Sequence, residues 1–367
     1  MADPRVETVA RILVDYSVKV RPNQLVRISG GVQGAPLILA VYQKVLERGA
    51  HPFLQVEPEE AEELFYTYAS DAQFDYVPPF RKDMIEQIDA SIGIWTDVNT
   101  KQLTSTDPAK QARRAVAMRP LSDRFLERAA KKELRWSGTI HPTQAFAQDA
   151  EMSLREFEDF VYKGCLVHEP DPIKAWKRIS KEQQRLVDWL NKARRIHVVG
   201  RDTDLKLEVA GRKWINCDGH ENFPDGEIFT GPVEKSVNGH IRYTYPACAY
   251  GREAEDVRLQ FKDGKVVKAT AAKNEEFLLK MLESDKGARY VGEFAFGTNS
   301  GIQRFTKNTL FDEKIGGTIH LALGKGYPES GSKNKSAIHW DMVCDLRDGG
   351  EVRVDETLFL KDGKVLI

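Results

Sequence analysis

Apolar residues are spaced differently in the two halves of this chain, and the change limits the folds open to it. In the first half, helix-type spacing over residues 6–13 is followed by a short strand-type run at 25–28. A second helix-type segment, 35–47, leads to strand-type residues 51–56, and residues 90–95 form a further run. Because each strand must cross back before a parallel neighbour can pair, this alternation predicts a mostly parallel sheet with helices on its faces.

Beyond about residue 191 the pattern changes to short β-type runs separated by glycine-containing turns. Two of these turns, Asp263-Gly264 and Asp362-Gly363, are typical of tight hairpins between antiparallel strands. A chain of 367 residues is also long enough for two domains. We therefore predict an α/β protein with two domains. Residues 1–190 form an N-terminal α/β domain with a mostly parallel sheet and a helical connection, and residues 191–367 form a C-terminal α+β domain rich in antiparallel sheet.

The charge balance and the cysteines narrow the classes of partner and compartment. Lys and Arg total 54 against 55 for Asp and Glu, so no excess of positive charge attracts nucleic acid or an acidic membrane surface. No run approaches the ~20 apolar residues of a membrane span, and the first residues lack the features of a secretory signal. The four cysteines form no CxxC pair. We expect a cytoplasmic protein that binds neither nucleic acid nor membrane.

Three glycines after the first strand-type run raise the question of a nucleotide-binding loop. Gly30, Gly31 and Gly34 lie between a strand-type and a helix-type segment, where such loops occur. Their spacing is not GxGxxG, and no lysine completes a phosphate-binding motif. We interpret these glycines as an ordinary strand-to-helix turn.

The C-terminal domain contains five potential metal ligands in apolar surroundings. His339 and Asp341 are two residues apart in a strand-type run, so their side chains share one face if that run is a strand. His320 and Glu293 each lie in an apolar run framed by glycines, where a polar or charged group without a partner is costly. Glu227 follows a turn and precedes two apolar residues. A bound cation would remove the penalty of burying these groups.

These five residues supply three carboxylates and two imidazoles, and we expect them to bind metal in the C-terminal domain. The set suits two zinc, cobalt or manganese ions about 3.5 to 4 Å apart, bridged by at least one carboxylate. A single ion would leave some of the five candidate ligands unused, and a structural zinc site would be richer in cysteine. The residues do not decide which glutamate forms the bridge, although Glu293 is our choice.

The candidate ligands belong to four blocks that resemble a known family. The blocks are PDGEIFT at 224–230, GEFAFGTN at 292–299, IHLALG at 319–324 and HWDMV at 339–343. In this order they resemble the thermophilic-type metalloaminopeptidases, the family of aminopeptidase T, aminopeptidase S and PepS. The resemblance is strong from about residue 221 onward and weaker over the N-terminal α/β part.

The resemblance implies metal ligation by Glu227, Glu293, His320, His339 and Asp341. It also implies a catalytic role for Tyr327, which could donate a hydrogen bond to an oxyanion, and we include Glu293 among the catalytic residues. The expected activity is hydrolysis of the first peptide bond of short or unfolded peptides with a free N-terminus, by a water that two divalent ions activate. The family further implies a homodimer.

Other functions would use part of the same set. A mononuclear non-haem iron oxygenase would use His320, His339 and Asp341 as a facial triad, but it leaves Glu227 and Glu293 without a role. A two-metal phosphoesterase would need cations near the phosphate, for which Arg304 and Lys307 are candidates. A non-catalytic protein stabilised by metal is the remaining alternative.

Overall fold

The computed structural model describes residues 3–367, which form two compact units. One unit contains the residues up to Ile173 together with Gly219–Pro224, and the other contains Lys174–Asp218 and Asp225–Ile367. Among residues 3–367, no helix combines the length and the apolar character needed to span a membrane.

The first unit is built around a four-stranded parallel sheet with strand order β2-β1-β3-β4. Its helices and strands are α1 (Pro4–Ile12), β1 (Leu25–Gly31), α2 (Ala35–Glu47), β2 (His51–Glu57), α3 (Glu60–Tyr68), α4 (Asp71–Asp75), α5 (Pro79–Gln87), β3 (Ala90–Trp95), α6 (Pro108–Ala130), β4 (Arg135–Ile140), α7 (Gln144–Asp149) and α8 (Leu154–Gly164). A π-helical turn, Leu13–Ser17, continues α1. The predicted parallel sheet is therefore confirmed, and α2 has the bounds that its apolar spacing predicted.

The glycines that follow β1 are part of a tight strand-to-helix connection. A Cβ on Gly30 would lie 2.6 Å from the carbonyl oxygen of Ile94, and a Cβ on Gly31 would overlap the side chain of Glu59. The Gly31 amide donates to Thr96 Oγ1, and Thr96 in turn donates to Glu59. Close packing against β3 therefore explains these glycines.

The second unit is rich in antiparallel sheet, as predicted. Its helices and strands are α9 (Pro172–Leu190), β5 (Arg195–Gly200), β6 (Thr203–Glu208), β7 (Ile215–Cys217), β8 (Glu227–Thr230), β9 (Asn238–Arg242), β10 (Ala247–Ala249), β11 (Arg252–Ala254), β12 (Arg258–Lys262), β13 (Lys265–Thr270), α10 (Glu275–Leu282), β14 (Val291–Gly297), α11 (Thr309–Asp312), β15 (Thr318–Gly324), β16 (His339–Asp345), β17 (Glu351–Val354), β18 (Thr357–Lys361) and β19 (Lys364–Val365).

Two larger sheets and a small hairpin make up the strands of this unit. The order in the eight-stranded sheet is β13-β12-β9-β6-β5-β17-β18-β19, and that in the five-stranded sheet is β16-β15-β14-β8-β7. Both predicted Asp-Gly hairpins are present, joining β12 to β13 and β18 to β19. At Asp263 and Gly264 the φ angles are +51° and +81°, the left-handed pair that a type I′ turn requires. The predicted fold class is confirmed.

The five-stranded sheet has one face in the hydrophobic core of the unit. Alternate residues of β14, Phe294 and Phe296, pack there with Trp214, and Trp340 and Met342 of β16 lie on the same side. Because successive side chains of a strand point to opposite faces, the residues between these apolar ones must lie on the other face. That face holds the candidate site.

Candidate metal centre

Strand register places all five predicted ligands on one face of the five-stranded sheet. Glu293 pairs with Ala322 across β14 and β15, and Ala322 pairs with Asp341 across β15 and β16. His320 is two residues from Ala322, and so is Gly324, which pairs with His339. Residues directly opposite one another in a sheet point to the same side. The structure therefore brings together, on adjacent strands, Glu227, Glu293, His320, His339 and Asp341.

Small residues occupy several of the remaining positions on this face. Gly297 pairs with Glu227, Ala295 pairs with His320, and Ala322 and Gly324 lie between the other ligands. Alanine and glycine leave room above the strands, so the longer carboxylate and imidazole side chains can converge. Gly226 has a φ of +122°, a value that favours glycine, and it sets the entry of the chain into β8 just before Glu227.

One group of donors forms around His320, which is fully buried. Its Nε2 atom lies 3.3 Å from Glu227 Oε2 and 3.4 Å from Glu293 Oε1. Ligand atoms of these three residues all lie within 4.8 Å of one another. Neither contact has hydrogen-bond geometry, and in the part of the chain that the structure describes no other group satisfies His320 Nε2 or Glu227 Oε2. A cation between these atoms would supply the partner that each lacks.

The second group of donors lies on the other side of Glu293. His339 Nε2 is 3.6 Å from Glu293 Oε2 and 3.6 Å from Asp341 Oδ1. His339 Nδ1 is 2.7 Å from the carbonyl oxygen of Lys325, which can only accept, so Nδ1 carries the proton. In the neutral ring the lone pair on Nε2 is then directed at the two carboxylates, as in many metal-binding histidines. Asp341 Oδ1 is buried and has no hydrogen-bond partner among residues 3–367.

Glu293 is thus the member common to both groups, with one carboxylate oxygen turned toward each histidine. Burial and the neighbouring charge of Glu227 raise its pKa, while His320 lowers it. Burial also lowers the pKa of His320, but Glu293, Glu227 and Asp341 outweigh this effect and raise the value to about 9. Buried negative charge contributes to both shifts, and such an excess of negative charge attracts protons or other cations.

A buried lysine is the main feature that the sequence analysis missed. Lys314 is fully buried, and its Nζ lies 2.8 Å from Glu227 Oε1 and 2.6 Å from Glu313 Oε2. Asp225 Oδ1 is 3.8 Å away. Burial lowers the pKa of Lys314, but these carboxylates outweigh it and raise the pKa well above its ordinary value, so the ammonium stays charged.

Glu313 is a further carboxylate near the site that the sequence analysis did not single out. Its side chain keeps 17% of its surface exposed, more than that of Glu227 or Glu293. Its charge contributes to the raised pKa values of His339 and Tyr327. Burial raises its own pKa to about 7, although Lys314 opposes the shift.

Tyr327, the predicted catalytic tyrosine, lies beside the second donor group. Its ring packs against His339 at 5.0 Å and Phe229 at 5.4 Å between centroids, and 38% of the residue remains exposed. Burial of the hydroxyl and the charges of Glu293 and Asp341 raise its pKa above the ordinary value. The hydroxyl therefore keeps its proton and can donate a hydrogen bond.

The cations proposed for a phosphoesterase lie elsewhere in the second unit. Arg304 is exposed, and Lys307 pairs with Glu253 at 3.2 Å. Neither contacts a predicted ligand in a described ion pair, whereas Lys314 does. Nothing in this arrangement resembles a cationic pocket for phosphate, because carboxylates dominate it.

The fold and the site together define a class: an α/β metalloprotein whose oxygen and imidazole donors suit divalent cations. Within that class, the chain belongs to the thermophilic metalloprotease (M29) family, whose model matches residues 2–364. Aminopeptidase 2 of Geobacillus stearothermophilus is 28% identical to it over 396 aligned residues, which cover 97% of this chain and 94% of the relative. The family resemblance predicted from the four blocks is confirmed.

Two solved structures share the fold. Wild-type AmpT of Thermus thermophilus superimposes with a TM-score of 0.88 at 22% identity, covering 99% of both chains. 2,5-Dihydroxypyridine dioxygenase of Pseudomonas putida superimposes with a TM-score of 0.63 at 14% identity, covering 98% of this chain and 96% of that one. A fold shared with AmpT and with a protein named as a dioxygenase does not decide the chemistry, which must be argued from the site.

Proposed function

We propose that this protein is an aminopeptidase that uses two divalent cations, zinc, cobalt or manganese, to hydrolyse the N-terminal residue from short or unfolded peptides. The observation that carries the proposal is the division of the ligands into two groups joined by Glu293. Each group offers one imidazole nitrogen, one carboxylate of its own and one oxygen of Glu293. Such a set fits two ions that share one bridging carboxylate.

Charge balance also supports two ions. The carboxylates connected through His320, His339 and Lys314 are Asp225, Glu227, Glu293, Glu313 and Asp341. With all five carboxylates ionised and both histidines neutral, the single ammonium leaves four negative charges, and two divalent cations would balance them. With one divalent ion, protons bound to the site's own groups would have to balance the other two charges.

The oxygenase alternative fits the site less well, although the chain shares its fold with a dioxygenase. A facial triad would require His320, His339 and Asp341 to converge on one ion. Instead, the nearest carboxylates of His320 are Glu227 and Glu293, and Glu293 lies between the two histidines. Aminopeptidase 2 of Geobacillus stearothermophilus also matches this chain along nearly its whole length.

A bound pair of divalent cations would make a water nucleophilic near neutral pH and polarise a peptide carbonyl. The chain's own residues would do the rest. Tyr327 retains its proton and is exposed beside His339, so it is placed to donate a hydrogen bond to the developing oxyanion. Glu313, partly exposed and with a pKa near 7, is suited to accept a proton from the water and return it to the leaving amine.

The proposal is tested by counting metal ions and measuring hydrolysis on the same preparation. We expect two zinc, cobalt or manganese ions per chain after reconstitution, cleavage of leucine p-nitroanilide, and no cleavage of its N-acetylated form. Removal of metal by a chelator should abolish activity, and adding the metal back should restore it. One iron per chain with an oxygen-dependent reaction would support the oxygenase, and bound metal without any hydrolysis would support the non-catalytic alternative. A cytoplasmic location and a homodimer are part of the proposal.

A further inference from the structure

Lys314 contacts one of the proposed ligands from the side that faces away from the histidines. It lies two residues beyond the end of α11 and has no exposed surface. Its Nζ atom donates to Glu313 Oε2 at 2.6 Å and lies 2.8 Å from Glu227 Oε1, with Asp225 Oδ1 at 3.8 Å. An ammonium has three protons to donate, and three carboxylates surround this one.

The two carboxylate oxygens of Glu227 therefore have different surroundings. Oε1 faces the Lys314 ammonium at 2.8 Å. Oε2 faces His320 Nε2 at 3.3 Å and lacks a hydrogen-bond partner within the described part of the chain. Glu293 differs, because its two oxygens face the two histidines and neither is close to a lysine in the described ion pairs.

We propose that Lys314 is a positioning residue that holds Glu227 Oε1 and leaves only Oε2 for a cation. This inference rests on the two-cation function proposed above and deepens it. A divalent ion at Oε1 would lie within a few ångströms of a positive charge in a buried place, where like charges repel strongly. Glu227 then binds a single ion through one oxygen, and the bridge between the ions falls to Glu293.

This restraint has a consequence for chemistry. A carboxylate that binds through both oxygens fills two coordination positions, and one that binds through a single oxygen leaves a position open. Open positions are what a catalytic metal site needs for water and substrate, whereas structural sites are closed. Lys314 thus keeps a coordination position open on the ion beside His320, which makes that ion more reactive but less tightly bound.

An experimental structure of the metal-loaded wild-type protein tests the inference directly. We expect Glu227 to contact one ion through Oε2 alone, with Lys314 Nζ still within hydrogen-bond distance of Oε1, and Glu293 to contact both ions. Glu227 bound through both oxygens, or bridging the ions, would overturn this inference while leaving the two-cation function intact. A crystal soaked in zinc or cobalt that contains no ion in this site would overturn both.

Substitution tests the consequence, with Lys314→Met as the variant and Lys307→Met as the matched control. Lys307 is partly buried and, like Lys314, pairs with a carboxylate, that of Glu253, which is not one of the five connected carboxylates. Loss of the Lys314 charge should slow release of cobalt to a chelator by at least about tenfold, because the ion loses a repelling charge and gains Oε1. The kcat with saturating metal should fall by at least about tenfold, because a position for water is filled. The control should match the wild type in both measurements.

A merely structural role for Lys314 predicts the opposite result for metal. The variant would then release cobalt faster than wild type and unfold more easily, and that outcome would overturn the inference. Cobalt absorption provides a further readout, since an added oxygen ligand raises the coordination number and weakens the visible bands. Unchanged bands in a folded Lys314→Met protein would also count against it. If the variant does not fold, the metal-loaded wild-type structure still decides.

Discussion

Replacing Glu293 by glutamine should have opposite effects on the metal-free and the metal-loaded protein. Glu293 is buried, and its raised pKa means that the folded chain disfavours the charged form when no cation is present. Glutamine has nearly the same shape and resembles the neutral form. In the metal-free protein, Glu293→Gln should therefore remove a destabilising charge, whereas in the loaded protein it removes the ligand that both ions share.

The expected magnitudes follow from the surroundings of Glu293. A buried polar group left without a satisfying partner costs about 1–3 kcal/mol. Because the carboxyl group can escape part of the cost by binding a proton, we expect a gain of about 1–2 kcal/mol in the metal-free unfolding free energy near pH 8. For domains of about 150–250 residues that corresponds to a rise in Tm of about 2–8 °C. In the loaded enzyme, kcat/KM should fall by at least about a thousandfold, about 4 kcal/mol.

The direction of the change in unfolding free energy, and its dependence on pH, make this prediction specific. An acid whose pKa is raised by folding weakens the fold increasingly as pH rises from its unfolded value through its folded value. The gain from Glu293→Gln should therefore be smaller near pH 5 than near pH 8. Glu234→Gln is the matched control, because Glu234 accepts a hydrogen bond from Arg212 at 2.6 Å and from the Lys333 amide at 2.7 Å. That substitution should destabilise the protein by about 1–3 kcal/mol.

Thermal unfolding of the chelator-treated proteins and hydrolysis of leucine p-nitroanilide by the reconstituted proteins provide the two measurements. Metal-free Glu293→Gln that is destabilised as much as Glu234→Gln would refute the account of an overcharged site. Retention of full activity by the reconstituted variant would refute the bridging role. The two results are independent, so either part of the reasoning can fail alone.

Three further outcomes follow from the same geometry. Tyr327→Phe should lower kcat by about 10²–10³ with little change in KM, because it removes one donor to the oxyanion, and an unchanged kcat would leave Tyr327 as a structural residue of its turn. His339→Ala removes a ligand from one group only, so the bound ions should fall from two to one per chain; elemental analysis that still finds two would contradict the division of ligands. The metal-free protein should lose stability between about pH 5 and about pH 8. Burial raises the pKa of Glu313 to about 7 and that of Asp312 to about 8, so in this range the folded chain still binds protons that the unfolded chain has released. Urea unfolding that shows stability rising over that range would contradict this prediction.

The parts of the fold that followed from the sequence are those where a local pattern decides the structure. Helix α2 and strand β3 have the bounds that their apolar spacing predicted. The Asp-Gly pairs fixed two hairpins, because few residues other than glycine, Asp and Asn tolerate left-handed φ angles. The sequence analysis did not predict the long helix α6, which contains Pro120 in its interior and mostly half-buried or exposed residues. Its stripe of apolar residues is too weak to be recognised by spacing alone.

The candidate ligands could be predicted from the sequence for a related reason. In β14 and β15 the large apolar residues alternate with glutamate, histidine, alanine and glycine, and period two is the signature of a strand with different faces. That alternation assigns the candidate ligands and the core residues to opposite faces of each strand, even when the neighbouring strands are unknown. What it cannot give is register, since pairing between strands depends on the whole sheet. The convergence of β8 and β16 on Glu293 was therefore visible only in the structure.

Lys314 was missed because the sequence around it indicates a solvent-exposed position, whereas Lys314 is buried. Asp312, Glu313 and Lys314 form a charged triplet at the end of a short helix, a pattern that usually faces solvent. Here Asp312 accepts from Thr306, and Lys314 meets the carboxylates of the site. The one local signal is that the triplet lies between apolar Phe311 and Ile315, both fully buried. A charged triplet between buried residues implies that its members have partners, but not which ones.

The shared fold with a dioxygenase shows where the function of this chain has to be sought. The dioxygenase shares the fold and is named for a different chemistry, so the architecture alone does not set the number of ions. We base our proposal on how many carboxylates remain after internal cations are paired. In this chain Lys314 neutralises one of five, and the four negative charges that remain when every carboxylate is ionised are the reason why we propose two divalent ions rather than one. Counting buried charges therefore adds to what the histidines indicate: Lys314 balances Glu227, but the oxygenase alternative gives no role to Glu293, which is buried between the two histidines.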